Sequence, residues 1–131
     1  MITTDRKIYS TGYANKDIND LKPLLETLEA VLVDIRFTPI SEVMHWRQPY
    51  LKLLLGNRYL HSVNLGERRF RDDAAVGIQN LKLGVETLLR LGKNAVIFCA
   101  CEKQEDCHRR IIADELKKHY IEVAEISNWK S

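Results

Sequence analysis

The chain has 131 residues, of which 45% are hydrophobic and 29% charged, and its formal net charge is +2. This length and composition are typical of one globular domain with one core, so we predict a single domain over residues 1–131. This net charge is too small to indicate, by itself, that the partner of the protein is a nucleic acid. Every apolar run is far shorter than the roughly 20 residues that span a bilayer, so we expect no membrane partner.

The three cysteines of the chain, Cys99, Cys101 and Cys107, lie close together. An odd number of closely spaced cysteines is not typical of the disulfide framework of a small secreted protein. We therefore expect reduced thiols and a cytoplasmic location.

Short strand-like runs alternate along the chain with longer segments of helical period, which is typical of βαβ units. The five predicted strands are Ile8–Thr11, Val31–Ile35, Tyr59–Val63, Ala95–Cys99 and Val123–Ile126. The second and fourth are almost entirely apolar, so we expect them to be central and covered on both faces. The sequence thus predicts a three-layer α/β fold, a mostly parallel five-stranded sheet with helices on both faces, without indicating the strand order.

Four helices are predicted around these strands. They are a helix capped by Asp17 and carrying Ile18 to Leu28, Pro49–Leu55 ending at Gly56, Ile78–Leu91 ending at Gly92, and a helix capped by Asp106. In the last helix Ile112, Leu116 and Tyr120 form a stripe at helical spacing that is expected to face the sheet. One turn earlier the stripe reaches His108, which is therefore predicted to point inward.

Ligands of open parallel sheets bind beyond the carboxyl ends of the strands, where loops and helix N-termini present free N–H groups. The candidate substrate-binding residues predicted at that edge are Gly12, Tyr13, Arg36, His61, Gly66, Cys99 and Arg109.

The segment Cys107-His108-Arg109 stands at the predicted start of the fourth helix. A thiol at a helix start beside cationic groups is easily ionised, so Cys107 is a candidate nucleophile and His108 a candidate acid or base. A cation is disfavoured at a helix N-terminus. We therefore expect Arg109 to be oriented toward a bound anion or toward a carboxylate such as Asp34.

Asp34 ends an apolar strand, where an ionised carboxylate needs a partner. Side chains alternate along a strand, so Asp34 and Arg36 share a face and can form an ion pair. The alternative is a catalytic role for Asp34 in orienting a ligand or His108.

Two other chemistries use the same part of the chain or its loops. The three cysteines and His108 could supply four soft metal ligands, but their spacing differs from that of structural zinc sites, so we predict no metal and no cofactor. Arginines interleaved with aromatic residues, in His45-Trp46-Arg47 and in the segment 68–71, suit phosphates and stacked bases. A nucleic-acid or protein interaction module is therefore an open alternative.

Four separated motifs complete the pattern. They are Gly12-Tyr13-Ala14, Asp34-Ile35-Arg36-Phe37-Thr38-Pro39, Tyr59 and His61 with Leu65-Gly66, and Cys99-Ala100-Cys101 followed by Cys107-His108-Arg109. Together they resemble the motifs of a family of small prokaryotic proteins, domain of unknown function 488. The resemblance covers residues 8–126 and implies the fold and the location of the site, but no particular reaction. Two residues depart from the family pattern. The family has a small hydroxyl residue at the position of Ala14, and many members have a glutamate at the position of Cys101.

Three functional hypotheses follow from these patterns. The leading one is a domain that binds or acts on a small anionic substrate, phosphate-bearing or nucleotide-like, as a hydrolase or transferase would. The second is the interaction module that uses the arginine-rich loops. The third is a redox or metal sensor built on the three thiols. The sequence does not indicate an oligomeric state.

Overall fold

The structure is a computed structural model that describes residues 6–39, 41–66, 78–100 and 108–129. Its strands, in chain order, are β1 (Ile8–Gly12), β2 (Ala30–Asp34), β3 (Tyr59–His61), β4 (Asn94–Cys99) and β5 (Val123–Glu125). They form one five-stranded sheet in the order β3-β2-β4-β1-β5. Every pair of neighbouring strands is parallel, which confirms the predicted sheet.

The two apolar strands occupy the interior of the sheet, as predicted. All five residues of β2 are buried, and so is every residue of β4 after the first. The third strand is shorter than predicted. It ends at His61 because the chain turns after the bond from Ser62 N to Asp34 O, and Val63–Leu65 forms a turn of 3-10 helix.

The helices follow the predicted order with shifted starts. They are α1 (Leu21–Leu28), α2 (Gln48–Leu55), α3 (Leu81–Leu91) and α4 (His108–Lys117). Asp17 caps a 3-10 turn that precedes α1. Ile78 lies outside α3 because Asn80 caps that helix by accepting a hydrogen bond from Leu83 N. The predicted cap Asp106 lies outside the described residues.

The stripe predicted on α4 is wrong for one of its residues. Ile112 and Leu116 are fully buried, but Tyr120 is 97% exposed. The helix ends at Lys117 and Tyr120 adopts a left-handed conformation with φ 66°, so the helical spacing no longer applies to it.

Two hydrophobic clusters cover the two faces of the sheet, as expected for a three-layer fold. One face packs against α3 and α4 through residues such as Val85, Leu88, Ile112 and Leu116. The other packs against α1 and α2 and receives the chain's last described residue, Trp129. Within the described residues, no helix is long and apolar enough to cross a membrane.

Strand alternation decides which face each polar residue joins. Val33 and Ile35 lie in the cluster that contacts α3 and α4, whereas Leu32 lies in the cluster that contacts α1 and α2. Asp34 and Arg36 therefore point to the side of α1 and α2. Ser10, two residues after Ile8, points to the side of α3 and α4.

Candidate functional site

The carboxyl ends of the strands bring the predicted site residues to one edge of the sheet. Gly12 pairs in register with Cys99, and Asp34 pairs with both Phe98 and His61. The backbone of Tyr13 extends this edge by donating a hydrogen bond to the carbonyl of Cys99 at 3.0 Å. Residues from four separate sequence segments therefore lie at nearly the same level along the strands, at one edge of the sheet.

Asp34 and Arg36 form a buried ion pair at this edge. Arg36 Nε lies 2.8 Å from Asp34 Oδ1, and Arg36 Nη2 lies 2.6 Å from Asp34 Oδ2. Arg36 N also donates to Asp34 Oδ1 at 3.1 Å. The two planar groups meet in a bidentate arrangement, which fixes the direction of the guanidinium group as well as holding it in place.

Tyr59 completes the hydrogen bonding of Asp34. Its hydroxyl donates to Asp34 Oδ2 at 2.5 Å from the neighbouring strand β3. Burial, the charge of Asp34 and this hydrogen bond raise the pKa of Tyr59 above its ordinary value, so the phenol keeps its proton. Four hydrogen bonds use the roughly four acceptor positions of a carboxylate. Asp34 is thus equipped to position Arg36.

The guanidinium group of Arg36 lies among aromatic rings. Its carbon is 5.4 Å from the ring centre of Tyr13 and 5.5 Å from that of Phe98. Burial lowers the pKa of Arg36, but the hydrogen bonds and charge of Asp34 outweigh this and raise the pKa above its ordinary value. The cation therefore persists at every physiological pH, although the side chain is only 8% exposed.

Tyr13 connects this cation to a cluster of aromatic side chains. The ring of Tyr13 stacks on Trp46 with centres 4.7 Å apart and 19° between planes, and its hydroxyl accepts from Arg36 Nη1 at 3.4 Å. Trp46 is buried, and Trp129 meets it edge to face at 5.9 Å. The aromatic residue predicted for an open nucleic-acid-binding loop is thus part of the core beside the site.

Two histidines from different elements hold the backbone that follows β2. His61 Nε2 lies 2.7 Å from the carbonyl oxygen of Arg36, and His108 Nε2 lies 3.0 Å from that of Ile35. A carbonyl oxygen only accepts hydrogen bonds, so each Nε2 must carry a proton. In the neutral form of either ring, Nδ1 is then the basic nitrogen. The inward orientation predicted for His108 agrees with this contact.

Gly66 is required by a close approach of two backbone segments. A Cβ atom at this position would lie 2.4 Å from Phe37 Cα and 2.6 Å from Phe37 N, which no side chain tolerates. The loop after β3 therefore packs directly on the residue that follows Arg36. Gly66 contributes to the site through this packing.

Arg109 is bound by a carboxylate, as the sequence suggested, but this carboxylate is not that of Asp34. Its Nη1 donates to Glu125 Oε1 at 2.7 Å and to Ser10 Oγ at 2.8 Å, and its side chain is fully buried. It lies on the face of the sheet covered by α3 and α4, whereas Asp34 points to the opposite face. The carboxylate that binds Arg109 is therefore that of Glu125, which makes this arginine part of the fold.

The other predicted residues are placed as follows. Cys99 is 2% exposed and belongs to the hydrophobic cluster beneath α4, and Arg47 donates to the carbonyl of Ser41 at 2.7 Å. Cys101, Cys107 and the arginines of segment 68–71 lie outside the described residues. Among the residues that are described, no group of three or more histidine, cysteine or acidic side chains could hold a metal ion.

Three contacts escaped the sequence reading. Tyr59 was assigned to a strand and to a motif but not to a contact with Asp34, and Glu125 and Trp129 were given no role. Trp129 Nε1 donates to Thr11 Oγ1 at 2.8 Å, which closes the end of the described chain over the sheet. Strand alternation puts Tyr59 and His61 on one face of β3, but only the pairing of β3 with β2 places Tyr59 beside the strand that carries Asp34.

The fold and this edge define an all-parallel α/β protein with a polar, aromatic-lined site at the carboxyl ends of β1, β2 and β4. Comparison of the chain with protein-family models, with curated proteins and with solved structures found no significant match. The resemblance to domain of unknown function 488 therefore stays a prediction from the motifs.

Proposed function

We propose that the carboxyl edge of the sheet binds a small anionic molecule, phosphate-bearing or nucleotide-like, and that His108 acts on it as an acid or base. The observation that carries this proposal is that a fixed cation and a fixed imidazole are both held at the end of β2. Arg36 is held by Asp34. His108 is hydrogen-bonded to the carbonyl of Ile35, which immediately precedes Arg36 in the chain.

Arg36 has donors to offer to an anion. A guanidinium group carries five N–H donors. The hydrogen bonds to Asp34 and Tyr13 use three of them among the described residues, which leaves one N–H on each terminal nitrogen. Because Asp34 balances the charge, the anion is bound through directional hydrogen bonds more than through net charge.

His108 supplies the acid or base of the proposal. Its ring is oriented by the bond from Nε2, and Nδ1 is the basic nitrogen of the neutral form. Cys107 precedes it in the chain and keeps its predicted role as nucleophile. Arg109 is left out of this proposal, because Glu125 and Ser10 bind its guanidinium group. A cytoplasmic location, expected from the cysteines, belongs to the same proposal.

The test uses the whole protein, labelled with ¹⁵N and titrated with adenosine monophosphate and with inorganic phosphate. We expect the amide signals of Tyr13, Arg36 and His108 to shift saturably. Arg36→Lys keeps the charge but removes the planar fork, and should weaken binding about tenfold. Arg47→Lys is the matched control, since the side chain of Arg47 donates to backbone carbonyls of the exposed loop. Its affinity should equal that of the native protein.

His108→Gln separates binding from chemistry. Glutamine can still donate to the carbonyl of Ile35 but has no basic nitrogen, so binding should persist while release of phosphate from a nucleotide is lost. Titrations in which the carboxyl-edge amides do not respond to either probe would overturn the proposal. Tight binding of mixed-sequence oligonucleotides that weakens steeply with salt would favour the interaction module instead.

A further inference from the structure

We infer that the opposite, amino-terminal edge of the sheet carries a second ligand site, for an organic anion with a planar ring. A cavity of about 510 Å³ opens there, between the start of β1, α3 and the turn after α4. This volume lies within the range of small-molecule sites, roughly 300 to 1,000 Å³. The cavity is separated from the carboxyl edge by the length of β1, so the inference does not depend on the proposed function.

Cationic and hydrogen-bond-donating side chains from two segments line this cavity. Arg6 and Lys7 precede β1, and His119 follows α4. Glu122 is the one acidic residue among the described residues that line it. The polar part of the cavity is therefore suited to a phosphate or carboxylate group.

Arg6 provides independent evidence for a missing acceptor. Its Nε atom is buried, and no atom of the residues that the structure describes accepts a hydrogen bond from it. A buried donor without a partner is unfavourable and is rare in folded proteins. An anion in the cavity would supply the acceptor.

The opposite wall is apolar. Ile8 is almost fully buried, and Leu89 and Ile121 pack against the same hydrophobic cluster while lining the cavity. A simple inorganic ion would leave this wall without contacts, since the cavity is much larger than such an ion. The ligand should therefore have an organic part beside its charged group.

Tyr120 indicates that this organic part contains a ring. Tyr120 N donates to Lys117 O at 2.9 Å and Ile121 N to Leu116 O at 3.1 Å, which is the Schellman ending of a helix. The left-handed residue of that motif is usually glycine, because a side chain there is disfavoured. Here it is tyrosine, with φ 66°, and this residue is 97% exposed and is among those that line the cavity. Packing does not account for this ring, whereas stacking on a planar ligand does.

The experiment titrates the ¹⁵N-labelled full chain with four probes: adenosine monophosphate, benzoate, adenosine and inorganic phosphate. We expect saturable shifts of the Lys7, Ile121 and Glu122 amides with one or both ring-bearing anions. Adenosine and inorganic phosphate, which each lack one half of the chemistry, should bind at least about tenfold more weakly. The two ring-bearing anions distinguish a phosphate from a carboxylate ligand.

Substitutions test which side chains contribute to binding in this cavity. Arg6→Gln and Lys7→Gln should each weaken binding about tenfold, and Tyr120→Ala should weaken it by a smaller factor. Arg110→Gln removes the same charge from an exposed position of α4 and should have no effect. His108→Gln, at the other edge, should also leave these shifts unchanged. The inference is overturned when neither ring-bearing anion shifts these amides, or when Arg6→Gln and Lys7→Gln bind as well as Arg110→Gln does.

Discussion

Arg109 Nη1 lies 2.7 Å from one carboxylate oxygen of Glu125 and 2.9 Å from the other. Glu125 is in register with Ser10, whose hydroxyl oxygen accepts from the same nitrogen. One guanidinium group therefore joins α4 to two neighbouring strands, β1 and β5. The edge strand β5 is only three residues long, and this contact adds to its pairing with β1.

Arg109→Ala should destabilise the protein by about 3 kcal/mol, because it leaves a carboxylate and a hydroxyl without their cation and opens a cavity. Arg110→Ala is the matched control. Arg110 is 62% exposed and 4.0 Å from Asp114, so its loss should cost less than about 0.5 kcal/mol. Urea denaturation of both variants measures the difference. Equal midpoints would mean that the contact with Glu125 contributes nothing to folding.

Tyr59→Phe should destabilise the protein by about 1.5 to 3 kcal/mol, since it removes a hydrogen bond to a buried, charged acceptor. The ring stays in the core, so little packing is lost. Tyr120→Phe, at an exposed position, should change the free energy of unfolding by less than about 0.5 kcal/mol. If the two variants are equally stable, the hydroxyl of Tyr59 does not support Asp34.

Tyr59 should also make the protein sensitive to alkali. Its pKa is raised in the folded state, so above the ordinary tyrosine value of about 10 the unfolded chain loses this proton while the folded protein keeps it. Unfolding then releases a proton, and stability falls as the pH rises, by up to about 1.4 kcal/mol per pH unit. Tyr59→Phe should show a shallower decline above pH 10 than the native protein or Tyr120→Phe, in melts recorded at stepped pH. Parallel curves would contradict this linkage.

Gly66→Ala should be more damaging than Gly92→Ala. The first places a Cβ against the backbone of Phe37, and neither backbone can yield without moving Arg36, so we expect a loss of about 2 to 3 kcal/mol. The second puts a side chain on a left-handed residue in nearly open space and should cost about 1 kcal/mol. Thermal melts rank the two variants. The opposite order would exclude a tight packing of this loop on the site.

Cys99 should resist alkylation in the native protein, because its side chain is 2% exposed. We also expect Cys107 to react faster than Cys99, as its place at a helix start predicts. Mass spectrometry after iodoacetamide treatment, with and without urea, measures both rates. A protein with Cys101→Ser and Cys107→Ser isolates Cys99, which should then be modified only in urea. Rapid labelling without urea would show that the end of β4 opens to solvent.

The sequence by itself determined which segments form strands and helices and which of their residues lie near the carboxyl edge of the sheet. Apolar runs without polar interruption require burial on both faces, and that local property placed β2 and β4 inside the sheet. Strand alternation put Asp34 and Arg36 on one face and predicted their pairing, which the structure shows at 2.6 Å. The rule that parallel strands end at one edge predicted that Tyr13, His61 and His108 lie close to one another.

Only the tertiary structure decided which distant groups meet. Arg109 binds Glu125 because β5 lies beside β1 and because α4 covers the face away from Asp34, and neither fact is encoded near Arg109 in the sequence. Tyr120 does not continue the helical stripe, because α4 ends in a Schellman turn whose left-handed residue is not the glycine that would have predicted it. Periodicity describes the neighbours along the chain, whereas strand order and helix placement depend on how the whole core packs. Those choices fix the partner of Arg109.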